Sequence, residues 1–197
     1  MNKEQRRLDA FSYFLYKLLE VIKEKKKYKN ILDALLDTNR ATIFRLLYLT
    51  CIQSVDLEDL KSYNDIGLFE IFNPFYAYNQ GPIQPSIYYS LEILKGYEYK
   101  DGEFIYINES KLPILEKELK EQIDSAVENL SKNADIIIKS IDKKTDRLIV
   151  EENKLLNLCY SFPSFIFAHL YIVNKQIESD NPTYIKADIE KYREFTS

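Results

Sequence analysis

Nucleophilic catalysis in this sequence would have to route through His169, its only histidine, with Cys159 or a nearby serine as the attacking group. Pro163 interrupts the span between Cys159 and His169, and the flanking Phe162, Phe165, Ile166 and Phe167 do not resemble a nucleophile elbow. A histidine set among such neighbours is expected to be a core side chain satisfied by one internal hydrogen bond. Acid–base work by paired carboxylates would fall to Glu118 and Glu121, or to the adjacent Glu151 and Glu152. All four lie among lysines on faces expected to be wet, where they are solvated charges. Two cysteines and one histidine exclude H-E-x-x-H, a three-histidine zinc site and paired C-x-x-C knuckles. Ile166, three residues before His169, excludes the E-x-x-H pair of a di-iron bundle. The four glycines, Gly67, Gly81, Gly96 and Gly102, stand too far apart for G-x-G-x-x-G or a P-loop. Catalytic motifs are missing and no cofactor or metal is expected; a carboxylate-dependent metal enzyme, for which 31 acidic residues are available, is the least favoured reading.

Binding chemistry is better supplied than catalytic chemistry. Half of the sixteen tyrosines fall between Tyr63 and Tyr106, joined there by Phe69, Phe72, Phe75 and Phe104. Tyrosine pairs a large contact area with a polar tip and few rotatable bonds, which suits both a protein interface and a core with hydroxyls at its rim. Phe75, Tyr76, Tyr78, Tyr88 and Tyr89 are the partner-contact candidates, and Gly81, Pro82 and Pro85 the residues of a structural turn. The charge, 27 Lys plus Arg against 31 Asp plus Glu, provides no global attraction for nucleic acid or anionic lipid. The local cluster Lys23, Lys25, Lys26, Lys27 and Lys29 is expected to be a solvated helix end, with an acidic partner or nucleic acid as the alternative.

Positioning these residues falls mainly to helices. The chain has 197 residues, 46% of them hydrophobic, enough for one domain with a genuine core. Leu8 to Ile22 carries apolar residues at three-and-four spacing, and Ala41 to Gln53 is apolar nearly all round, which makes it the expected central helix with Cys51 as an inert core thiol. Asp56 to Tyr63 reads as a short helix. From Ile71 to Leu91 no charge occurs, and Pro74, Gly81, Pro82 and Pro85 divide the stretch into loop or strand, tight turn, and a helix from Pro85 to Lys95. Tyr97 to Ile107 alternates around Asp101-Gly102, a hairpin signal. Ser110 and Pro113 are expected to open a five-turn amphipathic helix whose stripe is Leu112, Leu115, Leu119, Ile123, Ala126, Val127 and Leu130. Ala134 to Ser140 is open between helix and strand, and Asp142 to Asp146 is a connection. Helices are expected again over Glu152–Tyr160, Ser164–Ile177 and Ile185–Phe195. Leu155 to Asn174 has no formal charge and is long enough to span a bilayer. Pro163 divides it into two buried helical pieces, packed within the chain or against a second copy in a homo-oligomer. No secretion signal opens the sequence and no disulfide framework is evident, so a reducing cytoplasm is the expected location.

Phe44-Arg45-Leu46-Leu47-Tyr48-Leu49, then Gly67-Leu68-Phe69-Glu70, then Phe75-Tyr76-Ala77-Tyr78-Asn79-Gln80-Gly81-Pro82-Ile83-Gln84-Pro85-Ser86-Ile87-Tyr88 together resemble the Panacea domain of SocA-like antitoxins. That family has a K-L-L-Y type central helix, a segment ending in Leu-Phe, and a Gly-Pro-x-x-Pro-x-x-Tyr stretch leading into a helix. The resemblance runs from Ala41 to Leu94. Arg45 stands where the family has lysine, and the tryptophan before the Gly-Pro turn falls near Tyr78. The resemblance implies a single, mainly α domain with a small β-hairpin, its family-like core over residues 41–110. An N-terminal helix over 1–30 precedes that core, and a divergent helical extension over 111–197 follows it. It also implies a bacterial or phage-associated protein that neutralises a toxin by direct binding, or presents it to a protease, without catalysis. The alternative is a nucleic-acid-binding or proteolytic-adaptor regulator.

Overall fold

The computed structural model describes residues 2–26, 40–54, 67–78, 81–100, 103–132, 138–142, 147–150, 152–160 and 185–186. The three-and-four spacing around Leu8 becomes helix α1, Lys3–Lys26, whose stripe of Phe11, Phe14, Leu15 and Leu18 is fully buried. Helix α2, Arg40–Gln53, is buried at every position from Thr42 to Ile52. It is central because each of its sides has a neighbour: α5 (Lys117–Ser131), strand β2 (Gly81–Ile83), α6 (Glu152–Cys159) and the short α3 (Phe69–Phe72). The Phe11 and Phe44 rings stack at 6.1 Å across the seam between α1 and α2.

The strands are short and antiparallel. β1 (Tyr76–Tyr78) pairs with β2 as a tight hairpin, Tyr76 opposite Ile83 and Tyr78 opposite Gly81. Four-residue α4, Pro85–Tyr88, follows. The hairpin signalled by Asp101-Gly102 forms from β3 (Tyr97–Lys100) and β4 (Glu103–Ile107), with a register shift at Glu98/Tyr99. A further hairpin joins β5 (Ile138–Asp142) to β6 (Arg147–Val150), resolving the open reading of Ala134 to Ser140 as strand in its described part. The protein is thus mainly helical with small hairpins.

Three boundaries differ from expectation. The amphipathic helix begins at Lys117 rather than at Ser110: Leu112 before Pro113 is extended (φ −62°, ψ 146°), and Glu116 (φ −57°, ψ 139°) is still outside the helical region. Ser110 Oγ meanwhile donates to Asn108 Oδ1 at 2.7 Å instead of capping a helix. The helix expected over Pro85–Lys95 breaks after Tyr88 and resumes only as a 3-10 turn, Leu91–Ile93, since Ser90 leaves the helical region (φ −116°, ψ 11°). Ile185 and Lys186, expected at the start of a helix, form strand β7 on the open side of β1, where pairing with a distant strand overrides local propensity. The expected helices at Asp56–Tyr63 and Ser164–Ile177 lie outside the described residues. Among the described residues no helix is long and apolar enough to cross a membrane.

Candidate interaction surface at the hairpin

Gly81 and Pro82 lie in strand β2, directly after residues 79–80, which are outside the described residues, and Pro85 starts α4. Gly81 adopts φ +128°, a region that favours glycine, and a Cβ there would stand 3.1 Å from Arg45 Cγ and Nε. Pro82 is buried opposite Ala77 in the strand pair, and Pro85 occupies the first turn of α4, where its missing N–H costs nothing. Gln84 caps α4: its Oε1 accepts from the Ile87 N–H and from Ser86 Oγ, both at 2.9 Å.

This corner is pinned to α1 by Arg7, which is only 9% exposed. Its Nε donates to the Ile71 carbonyl at 2.9 Å, one terminal nitrogen to the Asn73 carbonyl at 2.7 Å, and the other to Ser86 Oγ at 2.9 Å. Burial pulls the guanidinium below its ordinary value, while Glu4 acts in the opposite sense. Asp9, two residues on, accepts from Gln5 Nε2 at 2.8 Å and pairs with Lys95 Nζ at 3.0 Å. Neither Arg7 nor Gln84 was a sequence candidate, although Arg7 falls in line with Phe11, Phe14 and Leu18 on the apolar stripe of α1. A cation in that stripe is the signal that could have found it.

From this base an aromatic stack climbs out of the core. Phe14, Phe11, Phe44, Tyr88 and Tyr89 follow one another with centroid separations of 5.9, 6.1, 6.1 and 5.2 Å. These fall within the range of favourable ring contact. Tyr88 is half-buried, Tyr89 is 72% exposed, and Ile93 in the following turn is also 72% exposed. Tyr76 is half-buried against the core. Of Tyr78 the backbone pairs with Gly81, and its side chain lies outside the described residues.

Phe75 must be reassigned. It is 2% exposed and meets Tyr48 at 5.3 Å and Phe69 at 5.9 Å, both edge-on, so it is a core residue and not a contact residue. Strand alternation explains the difference: Phe75 and Ala77 face inward, and Tyr76 between them reaches the rim.

Of the catalytic candidates, only Glu118, Glu121 and Cys159 have described side chains. Glu118 and Glu121 are exposed on α5, Glu121 pairing with Lys117 at 3.7 Å. Cys159 is fully buried, and burial pushes its thiol up to about 12 against the opposing pull of Arg45. Such a thiol is no nucleophile at neutral pH. Cys51 is buried likewise. His169, Glu151, and the side chains of Glu152 and of Lys23 to Lys29 lie outside the described residues. Among the described residues no cluster of three or more His, Cys, Asp or Glu could hold a metal. A polar hollow of about 490 Å³ lies beside β3, lined by Lys95, Gly96, Tyr97, Glu98, Asn108 and Lys111, with Lys95 already engaged by Asp9. No protein-family model matches the chain, and neither does any curated protein or solved structure searched.

Proposed function

We propose that the chain is an antitoxin-like protein that neutralises a partner toxin by direct protein–protein binding, without catalysis. The observation that carries this reading is the aromatic shoulder. Tyr88 and Tyr89 stand edge to face at 5.2 Å on a stack rooted in the core, and Ile93 in the following turn is exposed as well. Aromatic anchors held in place before binding lose little conformational entropy on association, so their contact area converts efficiently into affinity. That the partner is a toxin is supported by the resemblance of residues 41–94 to the Panacea domain, and the mainly α fold agrees with what that resemblance implies. A cytoplasmic partner fits two buried free thiols.

The test is co-purification of the tagged chain from its native cell, with co-expression of the adjacent gene. A stoichiometric partner that stops growth when expressed alone is the expected result; a clean monomer or homo-oligomer with no partner overturns the reading. Within the complex, Tyr89→Ala and Ile93→Ala should each weaken binding by more than about 1 kcal/mol. Each should shift unfolding by less than about 0.5 kcal/mol, because both side chains are largely in water. Unchanged binding by the folded double variant removes this surface from the proposal.

A further inference from the structure

Helix α4 has four residues, too few to hold a direction by its own hydrogen bonds, so what grips it decides how it points. Ile87 is fully buried, and one buried side chain leaves a single helical turn free to rock about that point. The second grip is polar. Arg7 Nη1 donates to Ser86 Oγ at 2.9 Å, and Ser86 Oγ stands 2.9 Å from Gln84 Oε1. A guanidinium accepts nothing, so the one hydroxyl proton of Ser86 goes to Gln84 Oε1, which also accepts from the Ile87 N–H at 2.9 Å. The donors therefore run one way, from α1 through Ser86 into the cap of α4. The other two Arg7 bonds hold the Ile71 and Asn73 carbonyls, so one guanidinium ties the segment entering the β1–β2 hairpin to the helix that leaves it.

We infer that Ser86 is a positioning residue for the aromatic shoulder: its hydroxyl, clamped between Arg7 and the Gln84 cap, fixes the tilt of α4 and so the direction in which Tyr88 and Tyr89 face a partner. Ser86 is half-buried on the side of α4 that meets α1, and it touches neither ring's exposed surface. With the tilt fixed, Tyr88 rests on Phe44 at 6.1 Å and Tyr89 stands out in water. Rings oriented before docking leave less to be ordered when a partner arrives. This inference rests on the shoulder being the docking surface and adds to it the residue that presents it.

The test is backbone amide NMR relaxation, with relaxation dispersion for slower rocking, on the free full-length chain and its Ser86→Ala and Ser86→Thr variants. Alanine favours helix more than serine does, so a looser α4 in Ser86→Ala reports the missing hydroxyl and not local propensity. The amides of Ile87, Tyr88 and Tyr89 are expected to show order parameters of about 0.85 in the wild type and below about 0.6 in Ser86→Ala, with α1 and α2 unchanged. Threonine keeps the hydroxyl, and Ser86→Thr is expected to restore the wild-type values. Unchanged order parameters in Ser86→Ala, without new dispersion, overturn the inference. Equal loosening of α1 and α2, a threonine variant no more ordered than the alanine one, or failure of Ser86→Ala to fold also overturns it, since each makes the bond a general support rather than a positioning one. No partner is present in the measurement, so its failure is separable from failure of the antitoxin reading, which the growth test decides.

Discussion

Arg7 uses all three guanidinium nitrogens, and each bond closes a carbonyl or hydroxyl that no regular ladder reaches: Ile71, Asn73 and Ser86. Arg7→Ala should therefore destabilise the fold by about 2–4 kcal/mol in urea unfolding, combining lost charge-assisted bonds with orphaned buried acceptors. Arg7→Lys should recover little of that, because an ammonium cannot span three acceptors held in a planar fork. A lysine variant as stable as wild type would show that charge alone matters there. Gly81 is constrained from the other direction. Gly81→Ala places a Cβ 3.1 Å from the buried Arg45 stem at φ +128°, and should cost about 1–3 kcal/mol on the same assay.

Helix α5 shows how far an element follows from its own pattern. Leu119, Ile123, Ala126, Val127 and Leu130 are all buried, as their spacing requires, and the seam with α1 is trimmed by polar contacts. Tyr13 donates to Asp124 Oδ1 at 2.8 Å, and Lys17 lies 3.5 Å from Glu128. The apolar face dominates the energetics. Ile123→Ala should cost about 2–5 kcal/mol, while Glu118→Ala on the exposed face should stay within about 0.5 kcal/mol, both read from denaturant midpoints. The N-terminal boundary was not legible from the apolar stripe, since Leu112 and Leu115 continue it upstream of Glu116, whose non-helical backbone marks where the helix starts. The short α4 is the opposite case: its proline start was legible, and its early end was not, because residues after Tyr88 follow packing rather than propensity.

Across the molecule, α2 binds the parts together and places both thiols in one interior, Cys51 on α2 and Cys159 on the α6 that packs against it. Burial raises both thiols, Cys159 from 9.0 to about 12. The unfolded chain then releases these protons at lower pH than the folded chain. Stability from this source is complete below about pH 9 and falls as pH rises toward 12, where Cys159→Ala should flatten the decline in Tm. Native protein at pH 8 should resist iodoacetamide and take up two labels only after denaturation; labelling of the native chain would contradict the packing of α6 on α2.

Local pattern was enough for α1, α2, α5 and the Tyr97–Ile107 hairpin: α1 and α5 bury stripes spaced at 3.6, α2 is apolar nearly all round and is buried accordingly, and the hairpin follows from Asp101-Gly102 between alternating halves. The helix start at Pro85 was equally legible, since the backbone preference there belongs to that residue alone. Other features depended on partners far away in the chain. Phe75 faces inward because Tyr48 and Phe69 arrive to meet it, and Arg7 is buried because Ile71, Asn73 and Ser86 offer it acceptors. Ile185 and Lys186 become strand because β1 has an unfilled edge. Burial and strand pairing are properties of the assembled neighbourhood, which no window of sequence contains, and at this hairpin they decide which aromatics face the core and which reach water.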